Sequence, residues 1–168
     1  MEIRAENPED FEAIRQINIA AFRRADEADL VDIIRKVAPV LSFVAVQYEQ
    51  LVGHIFFSPV SIESNCISIP QVLGLAPMAV MPSFQRQGIG SLLVQHSLKE
   101  CSRLGFNAVV VLGHPEYYPR FGFVSAKQKG LTCEFSVPDE VFMVVELQRE
   151  ALKGCKGTAK YRPEFSSI

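Results

Sequence analysis

The chain has 168 residues, 48% of them apolar, with 12 Phe and no Trp. That suits one domain with a sizeable core, running over residues 1–168. A charged fraction of 21%, a formal net charge of -2 and scattered Lys and Arg argue against a nucleic-acid binder. Nothing after Met1 reads as a signal segment, and no run approaches the ~20 apolar residues that cross a bilayer. Cys66, Cys101, Cys133 and Cys155 form no closely spaced pair of the kind zinc sites use. The expectation is a soluble, cytoplasmic protein with reduced thiols and no metal, nucleic-acid or membrane partner.

In chain order, Ile3-Arg4 starts a short strand, and Asn7-Pro8 opens a helix carrying Phe11, Ile14, Ile17, Ala21 and Phe22 on one stripe. A second helix opens near Asp26, carries Leu30, Val31, Ile33, Ile34 and Val37, and stops before Pro39. Leu41 to Tyr48 and Leu51 to Val60 read as strands joined by a tight hairpin at Glu49-Gln50, with Gly53 weakening or bulging the second. A further strand runs from about Ile67 to Met81, interrupted by Pro70 and Pro77. The helix after Gly90 places Leu93, Val94, Leu98, Cys101 and Leu104 on one arc and ends at Gly105. Ala108 to Leu112 is wholly apolar, as a strand buried on both faces would be. A short helix from Pro115 and strands near Leu131 to Val137 and Val141 to Leu147 complete the order βααβββαβαββ. This is an α/β (α+β) fold, a mixed sheet with helices on both faces.

The chemistry concentrates between Leu75 and Phe123. Gln85-Arg86-Gln87-Gly88-Ile89-Gly90-Ser91 lies between a strand and an amphipathic helix. Glycines there let backbone N–H groups approach a ligand, and a helix N-terminus adds unpaired donors and partial positive charge. Together they suit a pyrophosphate, with Arg86 adding a charge-assisted contact. A Walker loop is excluded because no G-K-[ST] follows. The dinucleotide fingerprint fails because its third glycine would fall at Leu93. Taken alone, the loop also reads as a strand-to-helix turn with no ligand.

The longer pattern resembles the GNAT superfamily of N-acetyltransferases, whose central motif [QR]-x-x-G-x-[GA] is matched by Gln85, Gly88 and Gly90. A second match, Tyr118-Pro119-Arg120-Phe121-Gly122-Phe123, resembles the family's Y-x-x-x-G-F. The strip from Leu112 to Phe123 looks like that of a predicted-acetyltransferase subgroup. The resemblance spans about Val44 to Phe123. It implies a GNAT-like, mostly antiparallel sheet, with acetyl-CoA as co-substrate and an amine acceptor. It further implies that Arg86, Gln87, Gly88, Ile89, Gly90 and Ser91, after Gln85, hold the cofactor phosphates, and that Met78-Ala79-Val80 pairs with the pantetheine arm. Homodimerisation through the C-terminal strands stays open.

By the same resemblance, transfer is direct, in a ternary complex, with strand N–H groups polarising the thioester and Tyr118 as the acid that protonates the departing thiolate. Tyr117 competes, and the Y-x-x-x-G-F spacing favours Tyr118, with a packing or a substrate-binding role for Tyr118 as the alternatives. Many relatives carry a carboxylate base on the strand before the loop, but Gln71 to Met81 contains no Asp or Glu. His114 is the candidate base, with Glu116 second, water third, and a capping or loop hydrogen-bonding role for His114 as the alternative. His54 and His96 read as structural or solvent-facing, and no cysteine reads as a nucleophile. Asp26-Glu27-Asp29 reads as solvating and capping the second helix, or else as lining an acceptor pocket. A non-catalytic acyl-CoA sensor and a generic nucleotide-binding module remain the competing functions.

Overall fold

The computed structural model describes the chain apart from Asn65, Ile67 and Ile168. The elements are β1 (Glu2–Ala5), α1 (Phe11–Phe22), α2 (Asp26–Val37), β2 (Leu41–Gln47), β3 (Gln50–Ser64), β4 (Val72–Val80) and α3 (Ile89–Arg103). They continue as β5 (Ala108–Leu112), β6 (Val124–Ser125), β7 (Leu131–Cys133), β8 (Phe142–Glu146) and β9 (Gly157–Lys160). Strands are hydrogen-bonded in the order β1-β2-β3-β4-β5-β8-β6, with β9 paired to both β3 and β7. The sheet is mixed and mostly antiparallel, β4–β5 and β7–β9 being parallel pairs. Two units can be distinguished. One comprises Met1–Ser58, Ala76–Ser97 and Pro163–Ile168, the other Pro59–Leu75 and Leu98–Arg162.

In the first unit, helices cover both faces of the β2–β3 pair. Ile14 of α1 and Leu30, Val31 and Ile34 of α2 pack with Val44 and Phe56. Successive strand residues face opposite sides, so Ala45 and Gly53 point the other way. There Ile89 and Leu93 of α3 lie against them. The arginine at the end of α1, Arg23, is left-handed and donates to the Ile19 carbonyl, which closes the helix. Extended Ala38 before Pro39 closes α2.

Several expectations shift. The hairpin turns at Tyr48-Glu49, one residue earlier than expected, because both residues adopt positive φ (53° and 60°) as a two-residue turn with matching twist requires. The register break falls between Ala45 and Val46, opposite Gly53 and Leu51, the bulge that Gly53 suggested. The expected strand start at Ile67 lies outside the described residues, and β4 begins at Val72. Ile33, Val37 and Leu104, assigned to apolar stripes, are exposed.

In the second unit, the expected helix from Pro115 is only a 3-10 turn, Tyr118–Phe121. Pro119 withholds a backbone donor, and Gly122 at φ 97° ends the turn. The Leu131–Val137 strand stops at Cys133, and β6 and β9 were not expected at all. β9 has no alternating apolar pattern and exists by pairing with β3 from Ser61 to Ser64. Gly157 permits that approach, since a Cβ there would meet Ser64 Cβ at 2.2 Å. The cysteine expectation is also corrected. Cys66 and Cys155 form a disulfide, brought together from 89 residues apart, while Cys101 and Cys133 are free.

Candidate active site

The first unit carries the glycine loop. β4 leaves the sheet through Pro82–Phe84, where the Phe84 N–H donates to the Met81 carbonyl at 2.8 Å. Gln85 then folds back, its Nε2 donating to the Val80 carbonyl at 2.9 Å. Arg86 (φ 64°) and Gly88 (φ 87°) are both left-handed, which turns the chain sharply into α3. The first helical hydrogen bond runs from the Leu92 N–H to the Gly88 carbonyl. The N–H groups of Ile89, Gly90 and Ser91 therefore precede the helical ladder, at its positive end. Gln85, Arg86, Gln87 and Gly88 are exposed, whereas the Ile89 side chain is buried and anchors the turn. Arg86 has no carboxylate partner among the described residues. This is an open, cationic cradle of backbone donors, chemically fitted to a phosphate anion.

β4 adds a second set of backbone groups. Its ladder with β5 covers Val72–Gly74. The Met81 N–H donates to the Val52 carbonyl of β3 at 2.8 Å. By strand alternation, Ala79 turns its N–H toward β3 as well, and Met78 and Val80 turn theirs to the opposite edge. The side chains of Met78 and Val80 are half-buried and that of Ala79 is buried. Beneath the loop, Gly53 keeps α3 close to β3. A Cβ there would meet Leu93 Cδ1 at 3.0 Å and Ile89 Cγ2 at 3.1 Å. No motif pointed to Gly53, because its partners lie far along the chain.

Also in the first unit, His54 is completely buried. Its Nδ1 meets Asn18 Nδ2 at 3.1 Å, and its Nε2 meets Ser42 Oγ at 2.9 Å. Asn18 Nδ2 is a donor, so Nδ1 accepts, and Nε2 carries the proton toward Ser42. Ser42 Oγ donates on to Glu6, which Arg35 clamps through two hydrogen bonds of 2.9 Å. Burial, helped by the Arg35 charge, pushes the His54 imidazole down to about 3. It is a neutral structural group. The Asp26-Glu27-Asp29 acids are engaged too: Arg24 pairs with Asp26 and Glu27, and Arg15 with Asp29 at 2.8 Å.

The second unit carries His114 and Tyr118. After β5, the His114 carbonyl accepts from the N–H groups of Tyr117 (3.1 Å) and Tyr118 (3.4 Å). The cap is therefore the His114 main chain, while its imidazole, like Glu116, sits at the exposed surface. Tyr118 points inward and is 8% exposed. Its ring packs edge-to-face with Tyr117 (centroids 5.1 Å apart) and Phe123 (5.5 Å). Burial, then Tyr117, raises the phenol to about 12. It stays protonated across the functional range and can donate. Tyr117 is half-buried beneath the Arg120 guanidinium, 4.7 Å from its ring centroid. Burial pushes the Cys101 thiol up to about 12, as expected of an inert thiol. Among the described residues no cluster of metal-ligating side chains occurs, and no helix is long and apolar enough to cross a membrane.

These motifs have counterparts in known proteins. Residues 11–123 match the acetyltransferase (GNAT) family. The chain is 34% identical over 168 residues to the uncharacterized N-acetyltransferase YhbS of Escherichia coli strain K12, covering 99% of each. The crystal structure of the Escherichia coli YhbS in complex with CoA superposes with a TM-score of 0.91, covering 98% of this chain and 91% of that one. A Brucella melitensis GNAT family acetyltransferase in complex with acetyl-CoA, 32% identical, gives a TM-score of 0.80 over 98% of this chain and 97% of that one. The family match over most of the chain agrees with the nearly full-length likeness to YhbS, and the chain belongs to the GNAT family of acetyltransferases.

Proposed function

We propose that this N-acetyltransferase moves an acetyl group from acetyl-CoA to a primary amine by direct attack, with residues 1–168 working as one domain. The observation that carries the reading is the open turn from Gln85 to Ser91, with left-handed Arg86 and Gly88 leading into the start of α3. Support comes from the relatives of about one-third identity that were crystallised with CoA and with acetyl-CoA. In this reading the Arg86–Ser91 segment holds the pyrophosphate, and the outward edge of Met78 and Val80 pairs with the pantetheine amides.

The acceptor amine must be neutral when its nitrogen attacks the thioester carbonyl. The new C–N bond forms, an oxyanion develops and is held by strand N–H donors, and the C–S bond then breaks. The amine proton leaves through His114 or through water, with Glu116 as a further acceptor, and Tyr118 gives its hydroxyl proton to the thiolate of CoA. A neutral phenol suits that role. The acceptor is taken to be a small or protein-borne amine in the cytoplasm, with no nucleic-acid or membrane partner.

Thermal unfolding with acetyl-CoA, CoA, ATP and NAD in parallel tests the binding half. A ligand at 100 times its dissociation constant stabilises by about 2.7 kcal/mol. That is several degrees for a domain of this size. A shift with acetyl-CoA and CoA alone is expected. No shift with either, on folded protein, would return the loop to a purely structural turn.

A further inference from the structure

We infer that Gly113 is a positioning residue, whose missing side chain is the slot in which the Tyr118 ring is seated. The inference rests on the reading of Tyr118 as the acid. A Cβ at Gly113 would stand 2.3 Å from Tyr118 Cε2, 2.9 Å from Cδ2 and 3.4 Å from Cζ. The first two separations are shorter than any van der Waals contact, and the third reaches the carbon that bears the hydroxyl.

Neither partner can yield cheaply. The Gly113 N–H donates to the Val141 carbonyl at 3.0 Å, which ties it to the entrance of β8. On the other side, the Tyr118 ring is held edge-to-face by Tyr117 and Phe123, and its backbone N–H is bound to the His114 carbonyl. The backbone does not call for glycine here, since Gly113 is not among the residues with positive φ. Alanine fits that backbone, so its consequence falls on the ring. The phenol has to swing or slide, and with it the hydroxyl that would meet the leaving sulfur. An acid displaced by about 1 Å can lose about 10²-fold in rate.

The test is a crossed pair of variants, Gly113→Ala and Tyr118→Phe, made singly and together. The rate is CoA release from acetyl-CoA, read chromatographically with the fastest acceptor among spermidine, tyramine and a lysine peptide, or with water where none turns over. G113A is expected to release CoA about 10²-fold more slowly, while its calorimetric dissociation constant for acetyl-CoA stays within about twofold of wild type. On the Y118F background the same change should slow release no further, since the hydroxyl it displaces is already gone. An equal factor on both backgrounds would mark a general structural loss and overturn the positioning role. So would a wild-type rate in G113A when Y118F is slow. A wild-type rate in Y118F removes instead the reading of Tyr118 as acid, and this inference with it. If G113A does not fold, G113A/Y118L decides: recovery of a folded, acetyl-CoA-binding protein supports the slot, and continued failure overturns it.

Discussion

Gly88 and Gly113 are needed for opposite reasons. An added Cβ at Gly88 would meet nothing within 4 Å, yet its φ is 87°. At Gly113 the φ is not left-handed, and an added Cβ would run into Tyr118. The first glycine provides backbone freedom where the chain must present N–H groups to solvent. The second provides room where a side chain must be packed. A recognition element made of main chain depends on φ and ψ, and a chemical element made of one side chain depends on its neighbours. Substitutions should therefore divide by region, affinity failing in one and turnover in the other.

The largest expected effect breaks the second region alone. Tyr118→Phe keeps the ring, its packing against Phe123 and its seat on Gly113, and removes one hydroxyl. As the proposed acid, that hydroxyl is worth about 10²–10⁴-fold in turnover. The kcat should fall by that order while the dissociation constant for acetyl-CoA is unchanged. If Y118F keeps its kcat, or loses affinity as much as rate, the division between the regions fails.

The next effect breaks the first region. Gly88→Ala forces an L-residue into a left-handed conformation, at about 1–2 kcal/mol. The loop is exposed, so it relaxes when free and must regain the strained form to bind. Affinity for CoA and acetyl-CoA should fall about 5- to 30-fold by that energy, while kcat at saturating acetyl-CoA holds. Isothermal calorimetry and a substrate titration read the two halves. A loss in kcat with affinity intact would contradict the assignment of the loop to binding.

The contrast also explains what the sequence made readable. The cradle is local: strand, turn and helix start lie within a few residues of one another, and Gln85, Gly88 and Gly90 announce them. Tyr118 was singled out as the proposed acid by its spacing to Gly122 and Phe123. The packing roles of Gly53 and Gly113 were not readable, because Leu93 and Ile89 lie far along the chain from the first, and the second depends on the Tyr118 ring turning inward over it, which only the fold decides. The same reason hid β9, which is a strand because β3 and β7 pair with it, and the disulfide, whose partners are widely separated. Ile33, Val37 and Leu104 fit their helical periods yet remain exposed. Periodicity identifies the apolar side of a helix, but not how far the covering layer extends.

A further effect, read as stability rather than as rate or affinity, sharpens the comparison, because the two regions are buried around groups that titrate on opposite sides of neutrality. In the first unit, His54 is held neutral at about 3, against an ordinary value of 6.5. Its unfolded form takes up a proton that its folded form refuses. The stability it contributes is therefore complete above pH 6.5 and is lost as pH falls toward 3. That amounts to about 2 kcal/mol by pH 5. Asp10 and Glu146 are lowered from ordinary values of 3.8 and 4.5, so their acid losses begin only below about pH 5. In the second unit, Tyr118 is raised to about 12, and Tyr161 is raised as well, both first by burial. Their contribution is complete below about pH 10 and is lost above it. Urea unfolding between pH 7 and 5 should thus show a falling midpoint in the wild type and a flatter one in His54→Gln. An equal slope in both would mean that His54 takes up its proton without loss of the fold, and that the Asn18–His54–Ser42 chain is not what supports β2 and β3 beneath the loop.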